Sequence, residues 1–413
     1  MELFRIATAG SVDDGKSTLI GRMLFETQSL KEDQLAHIVE KSKAKGFDYL
    51  DFSLATDGLL TEREQGITID VSHIYFNTPK RRFIIADAPG HVEYTRNMVT
   101  GASTANAAII LLDARKGVVE QTLRHFFVTQ LLAIDHLIFA INKMDLVSYN
   151  QEKFNPIMNQ IKGLIATLEK PPKSVAFIPI SALQGDNITA LSKNTPWYNG
   201  SPLISLIEDL PLESQKSIEN VLQVQYVIRP HQKDYHDYRG FAGKVKIGQF
   251  KVGDSVTVAP SGQQTKIERI EKYGVEVQSV QQGENATLLL KNAVDCSRGS
   301  TIYSKTSFLE NTQYIQTQLC WMQTEPIEPR KKYWLQQGAY SVLILVESIG
   351  KKINYTTQKE EDTTMLQCNE IGTANLRLAK PLLKASFAKN KALGAFILID
   401  TQTYNTAGVG FIQ

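Results

Sequence analysis

Gly10-Ser11-Val12-Asp13-Asp14-Gly15-Lys16-Ser17-Thr18 follows the apolar run FRIATA of residues 4–9 and precedes the helix-patterned LIGRMLF of residues 19–25. The stretch fits G-x-x-x-x-G-K-[ST] in the context that motif needs, a strand before it and a helix after it. Its glycines let backbone N–H groups curl around a β-phosphate. Lys16 can reach the β- and γ-oxygens, and the Ser17 hydroxyl is placed to ligate Mg²⁺. A phosphate loop on the first strand-to-helix turn predicts an α/β architecture, and the residues up to about 210 agree with it. RRFIIADAP (81–89), AAIILLDA (107–114), HLIFAINK (136–143) and VAFIPIS (175–181) are strand-like, with helix-like stretches at 92–100, 122–132 and 154–168 between them. This alternation predicts a mostly parallel sheet with helices on both faces. The runs are too continuously apolar for a one-sided sheet, so both faces are expected to be covered.

The chain has 413 residues, which at roughly 150 residues per domain predicts about three domains. Prolines 196, 202 and 211 and the polar LESQKSIEN (212–220) mark a boundary near residue 214. Beyond it, FAGKVKIGQFKVGDSVTVAPSG (241–262) alternates apolar and polar residues between glycine turns, which is all-β patterning. A second change falls near 306–330. There FLENTQYIQTQLCWMQTEPIEPRKKYWL leads into a further set of short strands, including YSVLILVES, IGTANLRL, LGAFILIDTQ and GVGFIQ. Two closed barrels would leave no unpaired edges. The expected plan is a P-loop α/β domain at 1–213, its mostly parallel sheet covered by helices on both faces, and all-β barrels at 214–305 and 306–413.

Composition excludes several classes. Apolar residues are 42% and charged residues 21% of the chain, which rules out wholesale disorder. In the N-terminal half the longest apolar run is the six residues 107–112, far short of the ~18 that cross a bilayer. MELFRIATAG reads directly as a strand entering a glycine turn, not as a secretion signal, so a cytoplasmic location is expected. Cys296, Cys320 and Cys368 are few, odd in number and widely spaced. They are expected to be buried free thiols, with neither a disulfide framework nor a zinc site. A formal charge of +2 gives no global reason to bind nucleic acid or an anionic membrane. The charged run 41–45 reads as solvated helix surface.

Further motifs complete a nucleotide site. Asp87-Ala88-Pro89-Gly90 ends the second apolar strand, where a carboxylate can hold Mg²⁺ through water and the Gly90 N–H can sense a γ-phosphate. Thr68, in Gly66-Ile67-Thr68, is expected to supply a second hydroxyl to Mg²⁺ when the γ-phosphate is present. Asn142-Lys143-Met144-Asp145 ends the strand HLIFAINK. Its Asp145 carboxylate can accept from N1–H and the exocyclic amine of guanine, donors that adenine lacks, so the nucleotide is GTP. Ser181-Ala182-Leu183 offers backbone N–H toward guanine O6. His91 is the candidate to orient the attacking water. The catalytic set is thus Lys16, Thr68 and His91, and the metal set is Ser17, Thr68 and Asp87.

With these motifs in place, the chain resembles the translation-factor class of GTPases. Within that class it resembles the sulfate adenylyltransferase subunit 1 family. The resemblance rests on GSVDDGKSTLIGRMLFE (10–26), where Asp14 replaces the histidine of elongation factors, and on DGLLTEREQGITIDV (57–71). It rests also on DAPGHVEYTRNMVTGAS (87–103), DARKGVVEQTLRH (113–125), TPWYNGSPL (195–203), VQYVIRP (224–230), DYRGFAGKV (237–245) and GAFILIDTQTYNTAGVG (394–410). The resemblance implies a heterodimer with sulfate adenylyltransferase subunit 2, in which GTP hydrolysis drives formation of adenosine 5′-phosphosulfate and pyrophosphate from ATP and sulfate. No S-G-G-x-D-S loop occurs in the chain, so adenylyl transfer is expected on the partner. HQKDYHDY (231–238) and the stretch 306–360 depart from the family pattern. A fused adenylylsulfate kinase is not expected, because no second phosphate loop is present. The competing reading is a translation factor delivering aminoacyl-tRNA. Asp14, the D-A-R-K-G segment and the near-neutral charge weigh against it.

Overall fold

The computed structural model describes residues 3–413 apart from 45, 56–71, 89–94, 169, 213–218, 231–237, 305–308, 328 and 355–358 and the side chains of 95–97 and 100. The described residues fall into two compact units, with the boundary between Leu212 and Glu219.

The first unit carries strands β1 (Leu3–Ala9), β2 (Ser72–Asn77), β3 (Arg82–Asp87), β4 (Ala107–Asp113), β5 (His136–Asn142) and β6 (Ser174–Pro179). Its helices are α1 (Lys16–Glu26), α2 (Glu32–Ala44), α3 (Thr95–Ala102), α4 (Glu120–Leu131), α5 (Gln151–Ala166) and α6 (Leu203–Asp209). The strands form one sheet in the order β2-β3-β1-β4-β5-β6. Neighbours from β3 to β6 are parallel. Every residue of β4 and of β5 is buried, as their unbroken apolar runs require of central strands covered on both faces.

Strand β2 lies antiparallel to β3 at the sheet edge and was not anticipated. In SHIYFN only Phe76 is fully buried, and Tyr75 is exposed. A one-sided edge strand lacks the continuous apolar signal that marks the centre. Helix α2 is similarly weak, with only Ile38 and Ser42 buried. Lys41 and Lys43 in its last turn are exposed, while Lys45 lies outside the described residues.

Leu19, Ile20 and Met23 of α1 pack into the core with Phe4, Ile6, Ile109, Leu111, Ile138 and Ile178. This burial holds the helix, and with it the loop at its N-terminus, over the carboxyl ends of β1 and β3. At Gly21 a Cβ would fall 2.0 Å from the Phe52 carbonyl oxygen. Glycine is therefore required for the 3-10 turn Phe52–Ala55 to lie against α1.

The second unit holds two closed barrels. The first comprises β7 (Val221–Ile228), β8 (Gly240–Ile247), β10 (Ser255–Ala259), β11 (Gln263–Lys272), β14 (Asn285–Leu290) and β15 (Thr301–Tyr303). It runs β10-β15-β7-β8-β14-β11 and closes by β11 pairing with β10. Short β12 (Val275–Val277) extends β11, while β9 (Gln249–Lys251) pairs with β13 (Ser279–Gln281). The second barrel comprises β16 (Glu310–Trp321), β17 (Lys332–Gln337), β18 (Tyr340–Asn354), β20 (Ile371–Lys384), β21 (Ala395–Asp400) and β22 (Thr406–Ile412), with β19 (Lys359–Asp362) on the edge of β18. It closes by β17 pairing with β18.

Strands β16, β18 and β20 run 12, 15 and 14 residues, longer than the short strands expected there. Bulges at Thr312/Tyr314, Val346/Ser348 and Ile349/Lys352 let them bend round the barrel without ending. The two barrels are joined through the buried Gln223, whose Nε2 donates to the Gln337 carbonyl at 2.7 Å and whose Oε1 accepts from Ala339 N–H at 3.2 Å.

Cys296 and Cys320 are buried, but Cys368 is exposed, which corrects the expectation of three buried thiols. Cys368 precedes Asn369, a residue at φ +67° in the turn into β20. Among the described residues no helix is long and apolar enough to cross a membrane.

Candidate functional site

The phosphate loop joins β1 to α1, with Asp13 at φ +69° and Gly15 at φ +91°. A Cβ on Gly15 would stand 2.4 Å from Asn142 Nδ2, so both the positive φ and the close approach demand glycine. Gly15 caps α1 with no side-chain hydrogen bond. The first N–H groups of the helix are thereby left to an anion, at the positive end of its dipole. The loop braces itself through the Ser11 N–H, which donates to Asp14 Oδ2 at 2.8 Å. Asp14 is only 2% exposed, and burial pushes its carboxyl up to about 6, against the pull of the Ser11 N–H, Lys116 and Lys143.

Thr8 of β1 is paired in register with Asp87 of β3, so both stand at the carboxyl edge of the sheet, where open α/β sheets bind ligands. Lys16 Nζ meets Asp87 Oδ1 at 2.5 Å with both side chains buried, and Thr8 Oγ1 donates to the same oxygen at 3.1 Å. Ser17 is half-buried on the first turn of α1. Ala88 is buried. Thr68, Pro89, Gly90 and His91 lie outside the described residues.

The segments expected to read the base converge on the same loop. Asn142, at the end of β5, donates from Nδ2 to the Asp14 carbonyl at 2.8 Å and accepts the Ala182 N–H on Oδ1 at 2.9 Å. One amide therefore links the phosphate loop, the end of β5 and the end of β6. Lys143, at φ +62°, donates to the Asp13 carbonyl and pairs with Asp113 Oδ2 at 3.2 Å. Met144 is buried, and its N–H donates to the Ile180 carbonyl at 3.2 Å. Asp145 is half-buried in the 3-10 turn Met144–Val147, and its carboxylate accepts no hydrogen bond from a described residue. Ser181 is fully buried, and its hydroxyl accepts the Gln184 N–H at 3.2 Å.

The structure adds residues that the motifs did not reveal. Asp113, at the end of β4, is held by Arg115 at 2.6 Å as well as by Lys143. Burial works to raise its carboxyl, but the hydrogen bonds from Arg115 and Lys143 outweigh burial and hold it well below the usual carboxylate range. His125 of α4 is buried and neutral, pushed down to about 3 by burial and by the charges of Lys16 and Arg124. Arg22 of α1 donates to the carbonyls of Ala182 and Leu183. Asp113 stood in the quoted D-A-R-K-G segment with no role attached to it. Nothing local to GRMLFE marks Arg22, because its partners are 160 and 161 residues away.

Comparison with known proteins matches residues 1–213 to the elongation factor Tu GTP binding domain and residues 314–413 to a GTP-eEF1A C-terminal domain-like family. The chain is 44% identical to sulfate adenylyltransferase subunit 1 of Alteromonas mediterranea, over 100% of this chain and 87% of that protein. It is 43% identical to sulfate adenylyltransferase subunit 1 of Francisella tularensis subsp. novicida, again over 100% and 87%. It is also 44% identical to the bifunctional enzyme CysN/CysC of Mycobacterium tuberculosis, over 99% of this chain and 67% of that one. Identity at this level along the whole chain, on a site whose phosphate and base segments meet at Asn142, makes the chain a member of the sulfate adenylyltransferase subunit 1 family, with an elongation factor Tu-type GTP-binding domain at its N-terminus.

Proposed function

We propose that the chain is the GTP-hydrolysing subunit of a sulfate adenylyltransferase, coupling GTP hydrolysis to formation of adenosine 5′-phosphosulfate and pyrophosphate from ATP and sulfate on a partner, sulfate adenylyltransferase subunit 2. The observation that carries the proposal is the full-length identity to proteins named as that subunit. Heterodimeric, cytoplasmic operation without nucleic acid or membrane belongs to the same reading. So does a domain plan of 1–213, 214–305 and 306–413.

The loop from Gly10 to Thr18 receives the phosphates on backbone N–H groups other than those of Ser11 and Asp14, which bond within the loop. The γ-phosphate oxygens replace Asp87 as the partner of Lys16. Asp145 accepts the two guanine donors, and in the Ser181-Ala182-Leu183 segment the Leu183 N–H faces O6, the Ala182 N–H being held by Asn142. Ser17, Thr68 and Asp87 would hold Mg²⁺. Two hydroxyls and one carboxylate are hard oxygen donors, too few to bind the ion alone, and among the described residues no cluster of three or more His, Cys, Asp or Glu forms a metal cage. Such a set fits an ion that takes its remaining ligands from phosphates and water. When bound, Mg²⁺ neutralises charge on the β- and γ-oxygens. His91 orients the attacking water, and Thr68 reports the γ-phosphate to the partner.

The test mixes the two purified subunits and follows phosphate and adenosine 5′-phosphosulfate together, with Lys16→Ala as the control. The isolated chain should hydrolyse GTP slowly and the partner should accelerate it. Adenosine 5′-phosphosulfate should exceed its GTP-free equilibrium only while GTP is consumed. An identical yield with and without GTP would remove the coupling, and stimulation by ribosomes in place of the partner would favour the translation-factor reading.

A further inference from the structure

Helix α1 begins at the phosphate loop and, two turns on, grips the loop that follows β6. Arg22 Nε donates to the Ala182 carbonyl at 3.2 Å, and its Nη2 donates to the Leu183 carbonyl. One turn further, Glu26 Oε2 accepts the Thr189 hydroxyl at 2.5 Å, while its Oε1 stands 3.7 Å from Arg22 Nη1. Gly185, at φ +88°, lies directly on this pair, since a Cβ there would stand 2.7 Å from Glu26 Oε1. On its other side the Arg22 guanidinium covers the Phe52 ring at 4.4 Å. Arg22 is thus fixed on several sides, with its side chain only 14% exposed.

The peptide group that Arg22 holds matters for the base. Ala182 N–H is already taken by Asn142. Leu183 N–H donates to no described residue. In a trans peptide the C=O and the following N–H point in opposite directions. Pulling the Ala182 carbonyl toward α1 therefore aims the Leu183 N–H away from the helix, and this donor belongs to the Ser181-Ala182-Leu183 segment assigned to guanine O6.

We propose that Arg22 is a positioning residue for base selection, setting the Leu183 peptide plane so that its N–H meets O6. This rests on the guanine reading of the site. It predicts that Arg22 governs recognition at position 6 of the base and not at position 2, which belongs to Asp145.

The experiment measures affinity for GTP, for 6-thio-GTP, which changes only the O6 acceptor, and for ITP, which lacks only the 2-amine. It uses the wild-type chain and the Arg22→Ala and Arg22→Lys variants, with kcat at saturating GTP as a further readout. Wild type should prefer GTP over both analogues. Arg22→Ala should lose roughly tenfold in GTP affinity, about the effect of one well-placed hydrogen bond. Its preference over 6-thio-GTP should fall toward one, with preference over ITP and kcat near wild type. Arg22→Lys, which keeps the charge but can reach one carbonyl at a time, should restore part of the O6 preference. Wild type that ignores both substitutions would overturn the guanine reading itself. Wild-type discrimination retained in folded Arg22→Ala, or both preferences falling together, would overturn the positioning role alone. Should Arg22→Ala fail to fold, Arg22→Lys decides: a full wild-type O6 preference there overturns the proposal, and a selective loss supports it.

Discussion

Replacing Asp14 by Asn should stabilise the nucleotide-free chain at pH 8, and the gain should vanish on acidification. Asp14 is 2% exposed inside the phosphate loop, and burial raises its carboxyl from 3.8 to about 6 despite the Ser11 N–H and the charges of Lys116 and Lys143. A folded-state value above the unfolded one means that the folded state holds the proton more tightly. The stability tied to that proton is fully present below 3.8 and is lost as pH rises through about 6. Two pH units or so, at about 1.36 kcal/mol each, amount to about 3 kcal/mol that wild type lacks at pH 8 relative to pH 4. Asn does not titrate, and its Oδ1 can still accept the Ser11 N–H, so Asp14→Asn should escape this pH-dependent loss. Urea unfolding of the intact chain, followed at Trp197 of the first unit, reads the difference. At about 3 kcal/mol per molar urea the midpoint should rise by about 1 M at pH 8 and converge with wild type by pH 4. A variant no more stable than wild type at pH 8, or a difference that stays flat between pH 4 and 8, would refute the reasoning.

Lys16→Ala should reduce kcat for GTP by on the order of 10²–10³, as loss of one charged transition-state donor does. It should also destabilise the nucleotide-free chain by about 3 kcal/mol, because Asp87 is left buried without its cation; adding Asp87→Asn should recover that stability without recovering turnover, as thermal unfolding and single-turnover assays will show. Asp145→Asn should weaken GTP and favour xanthosine triphosphate, whose carbonyl at position 2 pairs with an amide donor, and an unchanged GTP preference in competition binding would remove Asp145 from base reading. His91→Ala should lower kcat by on the order of 10²–10⁴ while GTP affinity stays near wild type; equal losses in both would assign His91 a packing role. Mild alkylation of the native chain should label Cys368 and spare Cys296 and Cys320, which are buried and held up to about 12 by that burial; peptide mapping distinguishes them.

Much of the first unit was legible because phosphate and guanine chemistry constrain short, contiguous segments. A phosphate loop needs glycine where backbone must approach an anion, and Gly15 proves to be excluded from having a Cβ by Asn142. The central strands β4 and β5 announced themselves by burial on both faces. Edge strand β2, half in water, left only an alternating trace, and the long strands of the second barrel were broken in pattern by bulges that shift the two-residue period.

What stayed hidden in the site is of one kind. Motifs report side chains that touch the nucleotide, and those have fixed spacing because the ligand has fixed dimensions. Asp113, Arg22 and Glu26 also touch distant protein segments, at Lys143, at Ala182 and Leu183, and at Thr189, across separations that no local spacing marks. The structure makes their role readable through the backbone groups they hold. Lys143 spans from Asp113 to the Asp13 carbonyl, Asn142 spans from Asp14 to Ala182, and Arg22 closes the ring from Ala182 back to the helix that begins at Lys16. Each link fixes a carbonyl or amide of a segment that the motifs assign to the nucleotide. Peptide planarity is what turns such a grip into aim. If Arg22 sets the Leu183 peptide as proposed, base and phosphate are read by one connected frame, and a substitution at a residue that never meets GTP changes which base is accepted.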